Sequence, residues 1–115
     1  MHEFSLAGEV IRLAEYEAEK NKAVSVSEIT IEVGNMSGVE ADAFESALGL
    51  LREKSILEKA LIRIVKIRGR GICPSCKTEF EMNRRIDTCP ECNEFPSGIK
   101  GGHEFRVVSL VIEED

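Results

Sequence analysis

Four cysteines fall within one stretch of the 115-residue chain, "CPSCKTEFEMNRRIDTCPEC", as Cys73, Cys76, Cys89 and Cys92. They form two CxxC pairs separated by twelve residues. Two residues between cysteines let a tight turn aim both sulfurs at one point, and Pro74 and Pro90 stiffen these turns. Two such turns facing each other build a tetrahedron of thiolates, with Zn–S bonds of roughly 2.3 Å. A chance pairing and a redox dithiol are the competing readings. A redox motif needs only one pair, and paired CxxC at this ribbon-like spacing has few false positives. Four thiolates fill a zinc shell and leave no position for water, so the expected metal is structural. Iron in the same tetrahedron, acting as an electron carrier, is the rival ion. It would leave the rest of the chain unexplained.

The first three residues, "MHE", offer a second kind of chemistry. A free amino terminus supplies a primary amine with a pKa of roughly 8. His2 adds an imidazole, and the backbone amides of His2 and Glu3 lie between and beside them. A metal that displaces amide protons could take a planar set of nitrogens from this one end, a geometry that suits Ni(II) or Cu(II) and not Zn(II). Taken alone, the motif is better read as a solvated, idle histidine followed by a first-turn helix acid.

The elements that must position these groups follow from periodicity. After Glu3, Leu6, Ala7, Val10, Ile11, Leu13, Ala14 and Ala18 recur at three- and four-residue steps, an amphipathic helix that fades near Asn21. In "SEITIEVG", Ile29, Ile31 and Val33 alternate with Glu28, Thr30 and Glu32, a half-buried strand ended by Gly34 and Asn35. A second helix is expected from near Ser37, with Glu40 completing a capping box and Ala41, Phe44, Ala47, Leu48 and Leu51 as its buried stripe. The run "ALIRIVKI" reads as a strand. Gly69 and Gly71 mark a boundary, "PSGIKGG" a flexible return, and "HEFRVVSLVI" a last strand that needs a sheet partner. The simplest closure sets it beside the earlier strands. The expected fold is therefore α+β: a domain of two helices and a three-stranded sheet, residues 1–68 and 103–115, interrupted by a zinc-ribbon-like module, residues 69–102.

Composition narrows the function. The chain carries a net charge of −6 with 5% aromatic residues, a poor match to nucleic acid. The charge is uneven: from Ala60 to Val107 the net is +3, and elsewhere −9. No signal-peptide pattern and no apolar run long enough for a membrane span occur, so a cytoplasmic protein with reduced or metal-bound cysteines is expected. No Gly-rich phosphate loop, HExxH or paired nucleophile and base is present, which disfavours an enzyme. A zinc-ribbon adaptor that binds nucleic acid or protein is the alternative to a metal carrier. Glu40 and Asp42 read as first-turn helix acids. His103, the other histidine, reads as a strand-edge residue, with a transient role near the cysteines left open.

"MHE" entering an amphipathic helix, then "IEVGNMSGVE", then the paired CxxC, then "GGHEFRVVSL", resembles the HypA/HybF family of nickel chaperones of hydrogenase maturation. The likeness covers the whole chain and keeps the order of segments. It implies that His2 is a nickel ligand, with Met1 and Glu3 assisting, and that Cys73, Cys76, Cys89 and Cys92 hold structural zinc. It further implies transient Ni(II) and resident Zn(II). The implied partners are the GTPase HypB and the large subunit of [NiFe] hydrogenase, with a second copy of the chain as a further candidate and with neither nucleic acid nor membrane.

Overall fold

The computed structural model describes residues 2–84 and 86–114. In chain order the elements are helix α1 (Glu3–Lys20), strand β1 (Ala23–Gly34), helix α2 (Ala41–Leu51), and strands β2 (Leu61–Ile67), β3 (Gly69–Ile72), β4 (Glu79–Met82), β5 (Gly98–Lys100) and β6 (Phe105–Glu114). They build an α+β molecule with two three-stranded sheets, ordered β2-β1-β6 and β4-β3-β5.

In the larger sheet β1 is central, parallel to β2 and antiparallel to β6. A parallel pair needs a crossover, and α2 supplies it. The last strand thus closes on the first, as its apolar run requires. Ile29, Ile31 and Val33 are buried beneath α1 and α2, together with Ala7, Val10, Ile11, Ala14 and Ala18 of α1 and Phe44, Ala47 and Leu48 of α2. Phe44 meets Phe105 of β6 edge to face, centroids 5.1 Å apart.

Several details depart from the sequence reading. Leu13 and Leu51, assigned to buried stripes, are 41% and 39% exposed. Each lies at the margin of its helix's apolar arc, and Leu13 borders an open groove beside Phe105 and Val107 of β6 instead of entering the core. The second helix begins at Ala41, not near Ser37. The Ser37 hydroxyl donates to the Gly34 carbonyl at 2.7 Å and accepts from the Val39 N–H at 3.2 Å, so it serves a turn. Glu40 is the cap residue, and its N–H donates to the carboxylate of Glu3 at 3.2 Å. A carboxylate from α1 therefore does at the start of α2 what a local capping box would have done. "RGRG" and "GIK", read as a boundary and a flexible return, are strands β3 and β5.

The molecule is drawn out to 58 × 25 × 17 Å, with a radius of gyration of 17.6 Å. A compact chain of this length would have about 13 Å. Its two sheets meet at one tight junction. β1 ends at Gly34, where a Cβ would come within 2.1 Å of the Gly102 carbonyl oxygen, and Gly102 itself has φ +87°. Only glycine fits either position. The Asn35 side chain donates to the Met82 carbonyl (2.8 Å) and accepts from the Gly69 N–H (3.2 Å). Met36, 6% exposed, inserts its side chain into the small core of the cysteine module.

Candidate metal centre

Each CxxC pair sits in the same local turn. The Cys73 N–H donates to the Thr78 carbonyl (3.0 Å) and the Lys77 N–H donates to the Cys73 carbonyl (3.0 Å). In the second pair the Cys89 N–H donates to the Glu94 carbonyl (2.9 Å) and the Asn93 N–H to the Cys89 carbonyl (2.8 Å). The residue after each second cysteine is left-handed, Lys77 at φ 62° and Asn93 at φ 59°. Asn tolerates this region well; Lys does so less readily. The repeated turn explains why both pairs point their sulfurs the same way. β3 and β4 carry the first turn, and Ser97 ties the return from the second to β3 through its N–H to the Ile72 carbonyl at 2.8 Å.

The four sulfurs all lie within 4.8 Å of one another. Those of Cys76 and Cys89 are 3.8 Å apart. A tetrahedron with metal–sulfur bonds of roughly 2.3 Å has edges of about 3.8 Å, so this spacing fits an ion of zinc size. Cys73 and Cys89 are buried, Cys92 is half-buried and Cys76 is exposed. Their acidities diverge accordingly. Hydrogen bonds from Thr78 hold the Cys76 thiol down to about 6. Burial pushes Cys89 up. Cys92 is pushed up to about 12, chiefly by its hydrogen bonds to Cys76 and Cys73. Four sulfurs this close cannot all become thiolates on their own, and a divalent cation bound among them would supply the missing positive charge. Among the described residues no other group of His, Cys, Asp and Glu donors converges in this way.

The amino-terminal candidates lie elsewhere. His2 is exposed and stands at the cap of α1, its carbonyl accepting from the Leu6 N–H at 2.8 Å. Glu3 is anchored on α2 as described, which places the first turn of α1 beside the start of α2. Met1 lies outside the described residues. His103 is exposed in the turn before β6, not on the strand, and is not among the convergent donors. The signal for the twinned turns was present in the sequence as the shared pattern of Cys-Pro, two residues to the next Cys, then Lys77 or Asn93.

A family model described as "Hydrogenase/urease nickel incorporation, metallochaperone, hypA" matches residues 1–112. The chain belongs to the HypA family. A hydrogenase maturation factor HypA from Parabacteroides distasonis is 40% identical over the full length of both chains. That from Francisella philomiragia is 37% identical over 96% of this chain and 98% of its own. The solution structure of the Ni metallochaperone HypA from Helicobacter pylori matches with a TM-score of 0.66 and 29% identity, covering all of both chains. The HypA resemblance drawn from the sequence is thereby borne out, and the four-cysteine metal site belongs to a family of nickel metallochaperones for hydrogenase maturation. No helix among the described residues is long and apolar enough to cross a membrane.

Proposed function

We propose that this chain is a cytoplasmic nickel carrier that binds Ni(II) through His2, with the Met1 amine and the amide of Glu3 completing a planar nitrogen set. It hands the ion to the large subunit of [NiFe] hydrogenase in concert with the GTPase HypB. The observation that carries this reading is the family match across residues 1–112, joined to an exposed His2 at the head of α1. A carrier must release its cargo, and a chain end gives ligands that can come off one at a time. The positive end of the α1 dipole favours deprotonated amides there. The carboxylate of Glu3 is engaged by Glu40, which leaves the Glu3 backbone as its contribution to the metal.

Zinc is the proposed occupant of the four cysteines, and its role is to hold residues 69–102 in shape as a module inserted in the α/β domain. A closed thiolate shell offers no place for a substrate, so the reading is of a chaperone and not an enzyme. The adaptor alternative fares worse. Cations in and beside the module pair with its own acids, Arg68 with Glu81 (2.8 Å), Arg70 with Glu79 (3.0 Å), Arg84 with Asp87 (3.8 Å) and Lys100 with Glu79 (3.6 Å), which reduces the basic surface open to nucleic acid. Nickel titration of the untagged protein tests the proposal. One planar Ni(II) per chain is expected for the wild type and none for His2→Ala, with the four-cysteine metal unchanged in both.

A further inference from the structure

The four sulfurs of the metal centre are not equivalent to a reagent arriving from solvent. Cys73 and Cys89 are buried, Cys92 is half-buried and Cys76 is exposed. The two thioethers in the module's core, Met36 and Met82, are 6% and 0% exposed. Cys76 is therefore the one exposed sulfur residue among those described.

Its surroundings decide what contact would lead to. The Cys76 sulfur lies 3.8 Å from that of Cys89, which belongs to the other CxxC turn. Two side-chain links tie the turns together: the Ser75 hydroxyl donates to the Glu94 carboxylate, and the Thr78 hydroxyl donates to the Glu91 carboxylate at 3.4 Å. They hold the two sulfurs close without closing off Cys76. A metal-bound cysteine is deprotonated outright, and the thiolate is the form that attacks. An exposed thiolate with a second sulfur behind it is the pairing in which one sulfur meets an oxidant and the other resolves the product.

We infer that Cys76 is an oxidation site for hydroperoxides, and that its reaction, resolved by Cys89, expels the metal and unfolds the module. The inference rests on the zinc reading of the four cysteines and is independent of the nickel reading. The Cys76 thiolate attacks the terminal oxygen of the hydroperoxide. The O–O bond breaks, and the other oxygen leaves as an alkoxide, or as hydroxide from hydrogen peroxide, and takes a proton from solvent. Cys76 is now a sulfenic acid. The Cys89 thiolate attacks its sulfur, the S–O bond breaks, and the departing hydroxide is protonated to water. The two sulfurs have given two electrons to the hydroperoxide and share a bond of about 2.0 Å. Neither is any longer a thiolate ligand. Cys73 and Cys92 remain, too few for a closed zinc shell. With two of its five core residues tied to that shell, the small sheet then loses what orders it.

Peroxide titration of the zinc-loaded full chain tests this without nickel. Zinc release is followed with a chromophoric chelator, and disulfides are mapped by mass spectrometry after the remaining thiols are alkylated. About one zinc should leave per peroxide consumed, and the first disulfide should join Cys76 to Cys89. Amide signals of residues 69–102 should collapse while those of the large sheet persist. Cys76→His keeps a zinc-competent shell of three cysteines and one histidine. It should lose zinc to peroxide at least about tenfold more slowly than the wild type. The disulfide map is read on the wild type and depends on no variant. Protein that holds no zinc before peroxide is added overturns the zinc reading, and this inference with it. Zinc held at one per chain and kept through excess peroxide overturns the inference alone. So does a first disulfide within one CxxC pair, or a Cys76→His variant that loses zinc as fast as the wild type.

Discussion

The two sheets of this molecule have three strands each, and they are stabilised by different physics. The sheet β2-β1-β6 lies under two helices and is part of a core of fourteen buried residues. The sheet β4-β3-β5 has a core of five, Met36, Cys73, Phe80, Met82 and Cys89, of which two are metal ligands and one, Met36, is lent by the other lobe. Its strands are three or four residues long. A cluster this small does not offset the chain entropy of ordering some thirty residues. The first lobe is built by apolar burial; the second depends on four sulfurs and whatever ion joins them. One lobe is therefore expected to tolerate loss of the metal and the other not.

The sharpest way to break that contrast is to remove the metal. Chelation, or Cys89→Ser, should disorder residues 69–102 while α1, α2 and the large sheet persist, since structural zinc supplies roughly 10–16 kcal/mol in small modules. Amide spectra report both lobes at once, and an unchanged module spectrum in metal-free protein would refute the division. The converse experiment is Phe44→Ala. Phe44 is fully buried against Phe105, and its loss should cost the large lobe about 3–5 kcal/mol in denaturant unfolding. The zinc content of folded protein should stay at one per chain.

The junction is the place to sharpen the comparison. Asn35→Ala leaves the Met82 carbonyl and the Gly69 N–H without their partner, a cost of about 1–3 kcal/mol. Faster chelator-driven loss of zinc, with little change in the melting of the large lobe, is the expected signature. Equal effects on both lobes would mean that they unfold as one unit.

The smallest effect is electrostatic. The Arg70 guanidinium first, and Lys100 second, hold the Glu79 carboxyl below the usual carboxylate range. A depressed carboxylate contributes stability that is fully present above its unfolded pKa and is lost as pH falls through its folded value. The melting-temperature advantage of the wild type over Glu79→Gln should therefore be level from neutral pH to about 5 and fade only below about pH 4. An advantage that is gone by pH 6 would place its cause elsewhere.

Legibility in the sequence follows the same division. α1, β1, β2 and β6 have long apolar periods, and burial in the large lobe is what such periods record. The capping of α2 was hidden because its carboxylate, Glu3, comes from thirty-seven positions upstream. The cysteine spacing announced a metal site whose sulfurs do converge, yet β3 and β5 escaped notice. "RGRG" and "GIK" have no apolar alternation to display, being held by pairing with β4 and with each other around the metal turns. Leu13 looked like core because a helix stripe does not say how far its neighbours extend.

The central claim is that the chain's first residues hold nickel through the terminal amine, the backbone amides and His2. The most direct measurement places Gly-Ser before Met1 and titrates the untagged protein with Ni(II), following the visible d–d band of diamagnetic planar nickel beside the wild type. The extension keeps every side chain and turns the amine into an amide, so the chelate rings anchored there cannot close. The account predicts loss of the planar band in the extended protein, with zinc still at one per chain. Full planar nickel binding by the extended protein would contradict it.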